Sequence, residues 1–217
     1  GHRRTRRHPE RCQGVRRPHG VVVASKNADK IAEIEAVLAS LDPPIVVLPG
    51  HNWEDVEETE ATLEGNALLK ARAVVAATGH AAVADDTGLE VDALDGAPGV
   101  WTARYAGDAA TYDDNVDKML REMAGVVERE AHFRTAIALV TPAGDELVVE
   151  GVLDGEITTE RRGSGGFGYD PIFEVGSTTL AEMPSDEKNR ISHRARGLLA
   201  LAEALAGADG PPDGERH

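Results

Sequence analysis

Apolar residues along the chain alternate between short continuous runs and longer stretches in which they recur every three or four positions. The run at residues 21–24 predicts a buried strand, and apolar positions at helical spacing from Ile31 to Leu41 predict a helix after it. Residues 45–48 repeat the strand pattern, and a second helix is expected from about Leu63 to Thr78, with Gly79 at its end. The amino-terminal part therefore predicts two strand–helix units.

The carboxyl-terminal part contains more strand-like segments. Residues 82–84 form a short apolar run that is expected to end where acidic residues begin. Residues 133–140 and 146–153 are strand-like and are separated by a polar turn, which predicts an antiparallel hairpin. A last helix is expected around residues 198–205. Strand–helix units combined with a hairpin predict an α/β or α+β fold with a mixed sheet, and not a purely parallel Rossmann sheet.

Composition narrows the class of protein. A chain of 217 residues with 41% hydrophobic and 28% charged residues can form one folded unit with a sizeable core. No apolar stretch approaches the roughly 20 residues that a membrane-spanning helix needs, which excludes that class. The only cysteine, Cys12, has no partner in the chain, so disulfide scaffolds and zinc ribbons are excluded as well. A reducing compartment such as the cytoplasm is expected.

Charge is distributed unevenly along the chain. Residues 1–20 hold seven arginines and one acid, whereas the whole chain has a net charge of −15. We expect this first segment to be a mobile basic arm, residues 21–206 to be the folded domain and residues 207–217 to be a flexible tail. Two interpretations of the arm stay open, a nucleic-acid or membrane-surface contact and an extension without a role in the fold. The acidic body argues against a broad nucleic-acid-binding face.

Two common nucleotide-binding signatures are absent, the G-x-G-x-x-G motif after the first strand and the Walker phosphate loop. Residues 25–30, Ser-Lys-Asn-Ala-Asp-Lys, instead place a hydroxyl, an amide and two ammonium groups at the start of the first helix. Free backbone N–H groups and the helix dipole favour an anion there. The alternative is that Ser25 or Asn27 only caps the helix and that Lys26 and Lys30 are solvated.

Two pairs of adjacent carboxylates are candidates for a metal site. Glu57 and Glu58 lie in an acidic loop, and Asp85 and Asp86 follow directly after the third predicted strand. Mg²⁺ is bound by one or two carboxylates together with phosphate oxygens of a substrate. For the two glutamates there is a strong alternative to metal binding, namely that they simply face solvent. This alternative is weaker for the two aspartates, because charges next to a buried strand are costly unless they are paired.

Two further segments are rich in binding groups. In residues 163–171 the glycines permit close approach of a ligand, and Phe167 and Tyr169, two apart, are placed to grip a flat base. A glycine-rich hairpin loop is the alternative. In residues 188–194 the cations would meet phosphate or a base carbonyl. The alternative there is a cationic first turn capped by Ser192, which the helix dipole disfavours.

Five strings of residues match, in order from Val21 to about Leu205, the pattern of one family. They are A-S-K-N-A-D-K at 24–30, E-G-N-A-L-L-K-A at 64–71, A-D-D-T-G-L-E-V-D-A-L-D-G-A-P-G-V at 84–100 with A-R-Y-A-G at 103–107, G-S-G-G-F-G-Y-D-P-I-F at 163–173, and I-S-H-R at 191–194. On these strings the chain resembles the inosine triphosphate pyrophosphatase family, also called Ham1-like or non-canonical purine nucleoside triphosphate pyrophosphatases. Five strings in register are highly specific.

The resemblance implies an α/β fold of two lobes, with a long mixed sheet flanked by helices and a central cleft, forming a single catalytic domain at 21–206. It implies Mg²⁺-dependent hydrolysis of ITP, dITP, XTP and dXTP to the monophosphate and pyrophosphate, by a cytoplasmic homodimer. The purine triphosphate would be the partner, with no nucleic acid and no membrane. A non-catalytic purine nucleotide-binding or regulatory module is the alternative, because the binding segments could persist without turnover.

The resemblance also implies roles for individual residues. Asp86, with help from Asp85, would accept the proton of the attacking water, and Glu58 and Asp86 would bind the metal. The residues implied in substrate binding are Ser25, Lys26, Asn27, Ala28, Asp29, Lys30, Lys70, Thr87, Phe167, Gly168, Tyr169, Asp170, Lys188, His193 and Arg194. Donors from His193 and Arg194 would pair with the purine 6-carbonyl, and an adenine amine would leave them unpaired, a mismatch that can discriminate by roughly 10⁴.

Overall fold

The computed structural model describes residues 15–208, with side chains to residue 206. Helices cover both faces of one mixed sheet. The strands are β1 (Gly20–Val23), β2 (Val46–Val47), β3 (Ala82–Val91), β4 (Pro98–Gly99), β5 (Glu130–Val140), β6 (Glu146–Ile157), β7 (Phe173–Val175) and β8 (Thr178–Thr179). The helices are α1 (Ala28–Ala39), α2 (Leu63–Thr78), α3 (Tyr112–Glu122), α4 (Ser185–Ile191) and α5 (His193–Ala208), with short 3₁₀ turns at Asp92–Leu94, Thr102–Arg104 and Asp170–Ile172.

The eight described strands form a single sheet in the order β2-β1-β3-β5-β6-β7-β8, and β4 pairs with β3. β1 is parallel to both β2 and β3, whereas the later pairs are antiparallel. The predicted hairpin is present as β5 and β6, and its register places Ala136 opposite Glu150. The prediction of a mixed α/β sheet is confirmed, because strand–helix units build the parallel part and the hairpin builds the antiparallel part.

Alternation along the strands divides the core between the two faces of the sheet. On one face Val83 belongs to a cluster with residues of α1 and α5, including Ile34 and Leu198. On the other face Ala84 belongs to a cluster with residues of α2, including Ala67. A third cluster contains residues of α3, the start of β5 and the end of β6, including Met119, Ala131 and Ile157, and forms the core of what we call the second lobe. Ala24 of the second cluster and Phe133 of the third line the cleft.

The end of the third strand differs from the prediction. β3 does not stop after Ala84 but continues through Asp85 and Asp86 to Val91. Acidic residues are poor strand formers in general, yet here each carboxylate is paired with cations from the helices that cover its own face of the sheet. These long-range pairs remove the cost that the sequence pattern assigns to charges in a buried strand.

The described region begins and ends close to the predicted borders of the folded domain. Residues 1–14 of the predicted arm and residues 209–217 of the predicted tail lie outside it. Val15 is 6% exposed and belongs to the cluster of α1 and α5, so packed structure begins within the segment assigned to the arm. At the other end α5 continues to Ala208. No helix within the described residues has the length and apolar character needed to cross a membrane.

Candidate active site

A cavity of about 450 Å³ lies in the cleft. The β1–α1 turn, the loop before α2, β3, the glycine-rich loop and the junction of α4 with α5 all contribute to its wall. Most residues singled out in the sequence line it, namely Ser25, Lys26, Asn27, Lys30, Glu58, Lys70, Asp85, Thr87, Phe167, Gly168, Tyr169, Asp170, Lys188, His193 and Arg194. Asp86 is buried and is not itself a lining residue, but its carboxylate bonds Lys70, which lines the cavity. Ala28 and Asp29 are exposed on the first turn of α1 and do not line the cavity.

The β1–α1 turn both caps a helix and faces the cavity. The Asn27 side-chain oxygen accepts hydrogen bonds from the backbone N–H groups of Asp29 at 3.0 Å and Lys30 at 3.4 Å. Ser25 Oγ in turn accepts the N–H of Asn27 at 3.1 Å. The capping interpretation is therefore correct for Asn27, and it is compatible with anion binding, because the cap aims the positive end of α1 and the Lys30 ammonium at the cavity.

Asp85 and Asp86 have opposite surroundings, because consecutive side chains of a strand point to opposite faces. Asp85 Oδ2 receives Lys30 Nζ at 3.1 Å, Arg194 Nε at 3.2 Å and the Thr87 hydroxyl at 3.2 Å. Burial alone would raise the pKa of Asp85, but the charges of Lys30, Arg194 and Lys70 outweigh it and hold that pKa far below its usual value. This arrangement makes Asp85 an anchor for two cations and a poor proton acceptor.

On the α2 face Lys70 joins two carboxylates. Its Nζ lies 2.7 Å from Glu58 Oε1 and 2.8 Å from Asp86 Oδ1, and Asn66 Nδ2 donates to Asp86 Oδ2 at 3.3 Å. Burial, together with the charge of Glu58, raises the pKa of Asp86 although Lys70 opposes the change. Burial also acts to raise the pKa of Glu58, but Lys70 and more distant cations outweigh it and lower that pKa.

The carboxylates of Glu58 and Asp86 fit a hard divalent cation. Both contact the ammonium of Lys70, so their oxygens lie close enough together to share one cation. Mg²⁺ is bound by one or two carboxylates when substrate phosphates supply further ligands. Residues 15–208 contain no cluster of three or more His, Cys, Asp or Glu side chains suited to a metal. The donor set thus suits an ion that arrives with, or is completed by, a phosphate ligand.

The glycine-rich loop is shaped around Asp170. Its Oδ2 accepts the backbone N–H of Phe167 at 2.7 Å and Lys188 Nζ at 2.7 Å. Gly166 has φ +69°, and a Cβ added there would lie 2.0 Å from Asp170 Oδ2, so a glycine is required at this turn. The loop therefore presents Phe167 to the cavity from a backbone that Asp170 holds.

Phe167 and Tyr169 both line the cavity, but they do not form the exposed aromatic pair that the spacing predicted. Tyr169 is 3% exposed, packs in the core of the second lobe and donates its hydroxyl to the Thr102 carbonyl at 3.0 Å. The chain turns into a 3₁₀ segment at Asp170, which breaks the extended geometry that the spacing assumed. Phe167 instead has Lys188 Nζ 4.7 Å from its ring centre and Tyr112 as an aromatic neighbour.

Glu33 is a site residue that the sequence analysis missed. Its carboxylate bonds Lys188 Nζ at 2.9 Å through one oxygen and Arg194 through the other. It thereby fixes the two buried cations of the α4–α5 junction relative to each other. The signal was present, because Glu33 follows Lys30 by three residues and therefore lies on the same face of α1.

His193 is buried against the cavity wall with unused hydrogen-bonding capacity. It is 5% exposed, its ring stacks on Phe133 with 4.7 Å between centres, and neither ring nitrogen has a partner within residues 15–208. Burial, reinforced by the charge of Arg194, lowers the pKa of His193 well below its usual value. The imidazole is therefore neutral at pH 7, and its nitrogens are available to a ligand.

Comparison with known proteins agrees with this geometry. A model described as the Ham1 family matches residues 21–204. The dITP/XTP pyrophosphatase of Chlorobaculum tepidum is 49% identical over 207 residues, covering 85% of this chain and 92% of that protein. That of Halalkalibacterium halodurans is 44% identical over 196 residues, covering 85% and 97%. A HAM1 protein structure from Coxiella burnetii superposes with a TM-score of 0.75 at 40% identity, covering 87% and 99%.

Proposed function

Because this chain belongs to the Ham1 family, we propose that it hydrolyses non-canonical purine nucleoside triphosphates, namely ITP, dITP, XTP and dXTP, to the monophosphate and pyrophosphate. Such an activity would cleanse the nucleotide pool of deaminated purines. One observation carries the proposal. A single cavity brings together three groups of residues: the amino terminus of α1 with Lys30, the cluster of Lys70 with two carboxylates, and an aromatic end. The aromatic end is formed by Phe167 and Phe133 with the buried His193 and Arg194. These are the groups that a triphosphate, a metal and a purine require.

In this proposal Glu58 and Asp86 would hold Mg²⁺. Bound there, the ion would neutralise negative charge that develops on the departing pyrophosphate. The triphosphate lies against the amino terminus of α1, where the positive end of the helix dipole and the Lys30 ammonium balance its charge. Lys70, which contacts both carboxylates, keeps their separation fixed before the substrate binds.

Asp86 accepts the proton of the attacking water. The water oxygen bonds to the α-phosphorus, its proton passes to Asp86, and the bond from that phosphorus to the bridging oxygen breaks to release pyrophosphate. The raised pKa of Asp86 makes it a stronger base than an ordinary aspartate. Asp85 takes no proton and instead keeps Lys30 and Arg194 in place.

Pyrophosphate release tests this function directly. We expect the purified protein to convert ITP and XTP to the monophosphate and pyrophosphate in Mg²⁺ buffer, at rates far above that for ATP, and to lose this activity in EDTA. Chromatography of the nucleotide product distinguishes this cleavage from removal of the terminal phosphate. Saturable binding of ITP without any pyrophosphate would instead establish a non-catalytic nucleotide-binding module.

Arg194 is expected to contribute to base selectivity. Its guanidinium, Lys188 and the neutral His193 supply donors at the aromatic end, where they would pair with a 6-carbonyl and stay unpaired against an adenine amine. We expect Arg194→Ala to narrow the ratio of kcat/KM for ITP over ATP by tenfold or more. The ratio is measured within one preparation, so it does not depend on the folded fraction. An unchanged ratio would place the selective contact elsewhere.

We further propose that the protein is a cytoplasmic homodimer, as the family resemblance implies. The single cysteine in the sequence fits a reducing compartment. Trp101 is 57% exposed beside Arg104, whose guanidinium carbon lies 4.5 Å from the indole centre. A large exposed aromatic of this kind is typical of a surface that a second protein molecule covers.

A further inference from the structure

Tyr112 is an exposed aromatic residue at the mouth of the cavity. It is the first residue of α3 and is 47% exposed, yet it lines the cavity wall. The helix start is fixed by a reciprocal cap, in which Asp114 N–H donates to Thr111 Oγ1 at 3.2 Å and Thr111 N–H donates to Asp114 Oδ2 at 2.8 Å. The cap holds the backbone of Tyr112 and therefore limits the directions its ring can take.

Tyr112 touches both ends of the cleft. Its hydroxyl oxygen accepts a hydrogen bond from Asn27 Nδ2 at 3.1 Å, which ties it to the β1–α1 turn. Its ring centre lies 6.1 Å from that of Phe167, with 36° between the ring planes, which ties it to the aromatic end. In a bound nucleotide the sugar connects the base to the phosphates. A residue that contacts both of these subsites must therefore lie beside the sugar.

The hydroxyl of Tyr112 retains a proton to donate. The side-chain oxygen of Asn27 is already committed to the N–H groups of α1, so its amide nitrogen points to Tyr112 and makes that hydroxyl an acceptor. No hydrogen bond within residues 15–208 uses the hydroxyl hydrogen of Tyr112. A hydroxyl that accepts one hydrogen bond is polarised and donates a second one more strongly. The acceptor it faces beside the α1 amino terminus would be an anionic oxygen.

We propose that Tyr112 is a substrate-binding residue that closes the cleft over the sugar and donates its hydroxyl hydrogen to the phosphate chain of the nucleotide. The proposal rests on the proposed function, since it concerns the substrate of that same site. The pattern of the sequence had not drawn attention to this residue, because Tyr112 looks like an ordinary first-turn residue of an amphipathic helix.

Tyr112→Phe is the direct test, because it keeps the ring and removes only the hydroxyl. A hydrogen bond to a charged group is typically worth enough for a change of roughly tenfold in binding. We therefore expect KM to rise about tenfold for both ITP and dITP while kcat stays within about twofold, since the contact is made equally in the ground and transition states. Tyr112→Ala also removes the ring and is expected to raise KM further.

Tyr105→Phe is the matched control. Its hydroxyl donates to Glu122 and does not line the cavity, so KM should not change.

If the wild type hydrolyses ITP and Tyr112→Phe has an unchanged KM, the inference fails and the proposed function stands. A rise confined to ITP would assign the hydroxyl to the ribose 2′-OH and overturn the phosphate contact. Equal KM values for the Phe and Ala variants would contradict the proposal that the Tyr112 ring packs over the sugar. A wild type without pyrophosphatase activity would instead refute the proposed function itself.

Discussion

Replacing Asp86 by asparagine is expected to lower kcat for ITP by about 10²- to 10⁴-fold while the protein stays folded. The substitution removes the proposed proton acceptor and one of the two carboxylates proposed for Mg²⁺, yet it keeps the size of the side chain. Lys70 retains Glu58 as a partner at 2.7 Å. Because the fold raises the pKa of Asp86, its ionised form is less favourable in the folded than in the unfolded chain. Loss of that charge should not lower the melting temperature.

Asp85→Asn is the matched control, since it makes the same chemical change one residue away on the opposite face of β3. The folded-state pKa of Asp85 is depressed, so its ionised form contributes stability above the ordinary aspartate pKa, and this stability is lost as the pH falls. At pH 7 Asp85→Asn should therefore lower the melting temperature by several degrees, because Lys30 loses its buried carboxylate and Arg194 loses one of its two, keeping only Glu33. Near-normal kcat in Asp86→Asn would contradict its role as base and metal ligand.

The contrast between these neighbours shows what the sequence could predict. The pattern of apolar runs predicted the order of strands and helices, because burial imposes its periodicity on the residues themselves. It also predicted that charges after Ala84 need partners. It did not predict that β3 continues through Asp85 and Asp86, because the cations that pair with them come from α1, α2 and α5, which are distant in the chain.

Residues that act by connecting other site residues were harder to predict. Glu33 was not predicted to contact the substrate, but it bonds Lys188 and Arg194. This role cannot be read from the sequence, because it depends on α1 and α5 packing on the same face of the sheet. Tyr169 was expected beside Phe167 because the spacing suits an extended chain. The local 3₁₀ turn instead buries it in the core of the second lobe. The spacing of two residues in the sequence predicts whether their side chains point to the same side only where the local backbone conformation is already known.

The position of the aromatic end of the cavity depends on a close contact between α5 and β6. A Cβ added to Gly151 of β6 would lie 2.0 Å from the His193 carbonyl oxygen and 2.3 Å from the Gly197 backbone nitrogen. Both are backbone atoms, so neither can move aside by rotation of a side chain. On the facing side, a Cβ at Gly197 would lie 2.8 Å from Ile137 Cγ1. Two glycines thus allow the first turns of α5 to approach the sheet.

Gly151→Ala is therefore expected to displace the amino terminus of α5 and with it His193 and Arg194. Overpacking of this severity should cost about 3 kcal/mol of unfolding free energy, or roughly 6 °C or more in melting temperature, and reduce kcat/KM for ITP at least tenfold. Gly20→Ala is the control, because its added methyl first meets the end of the Leu48 side chain at 3.0 Å, which can rotate away. Thermal melts and ITP kinetics of both variants measure the effect. Wild-type stability and activity in Gly151→Ala would mean that α5 does not need this close approach to hold His193 and Arg194 in place.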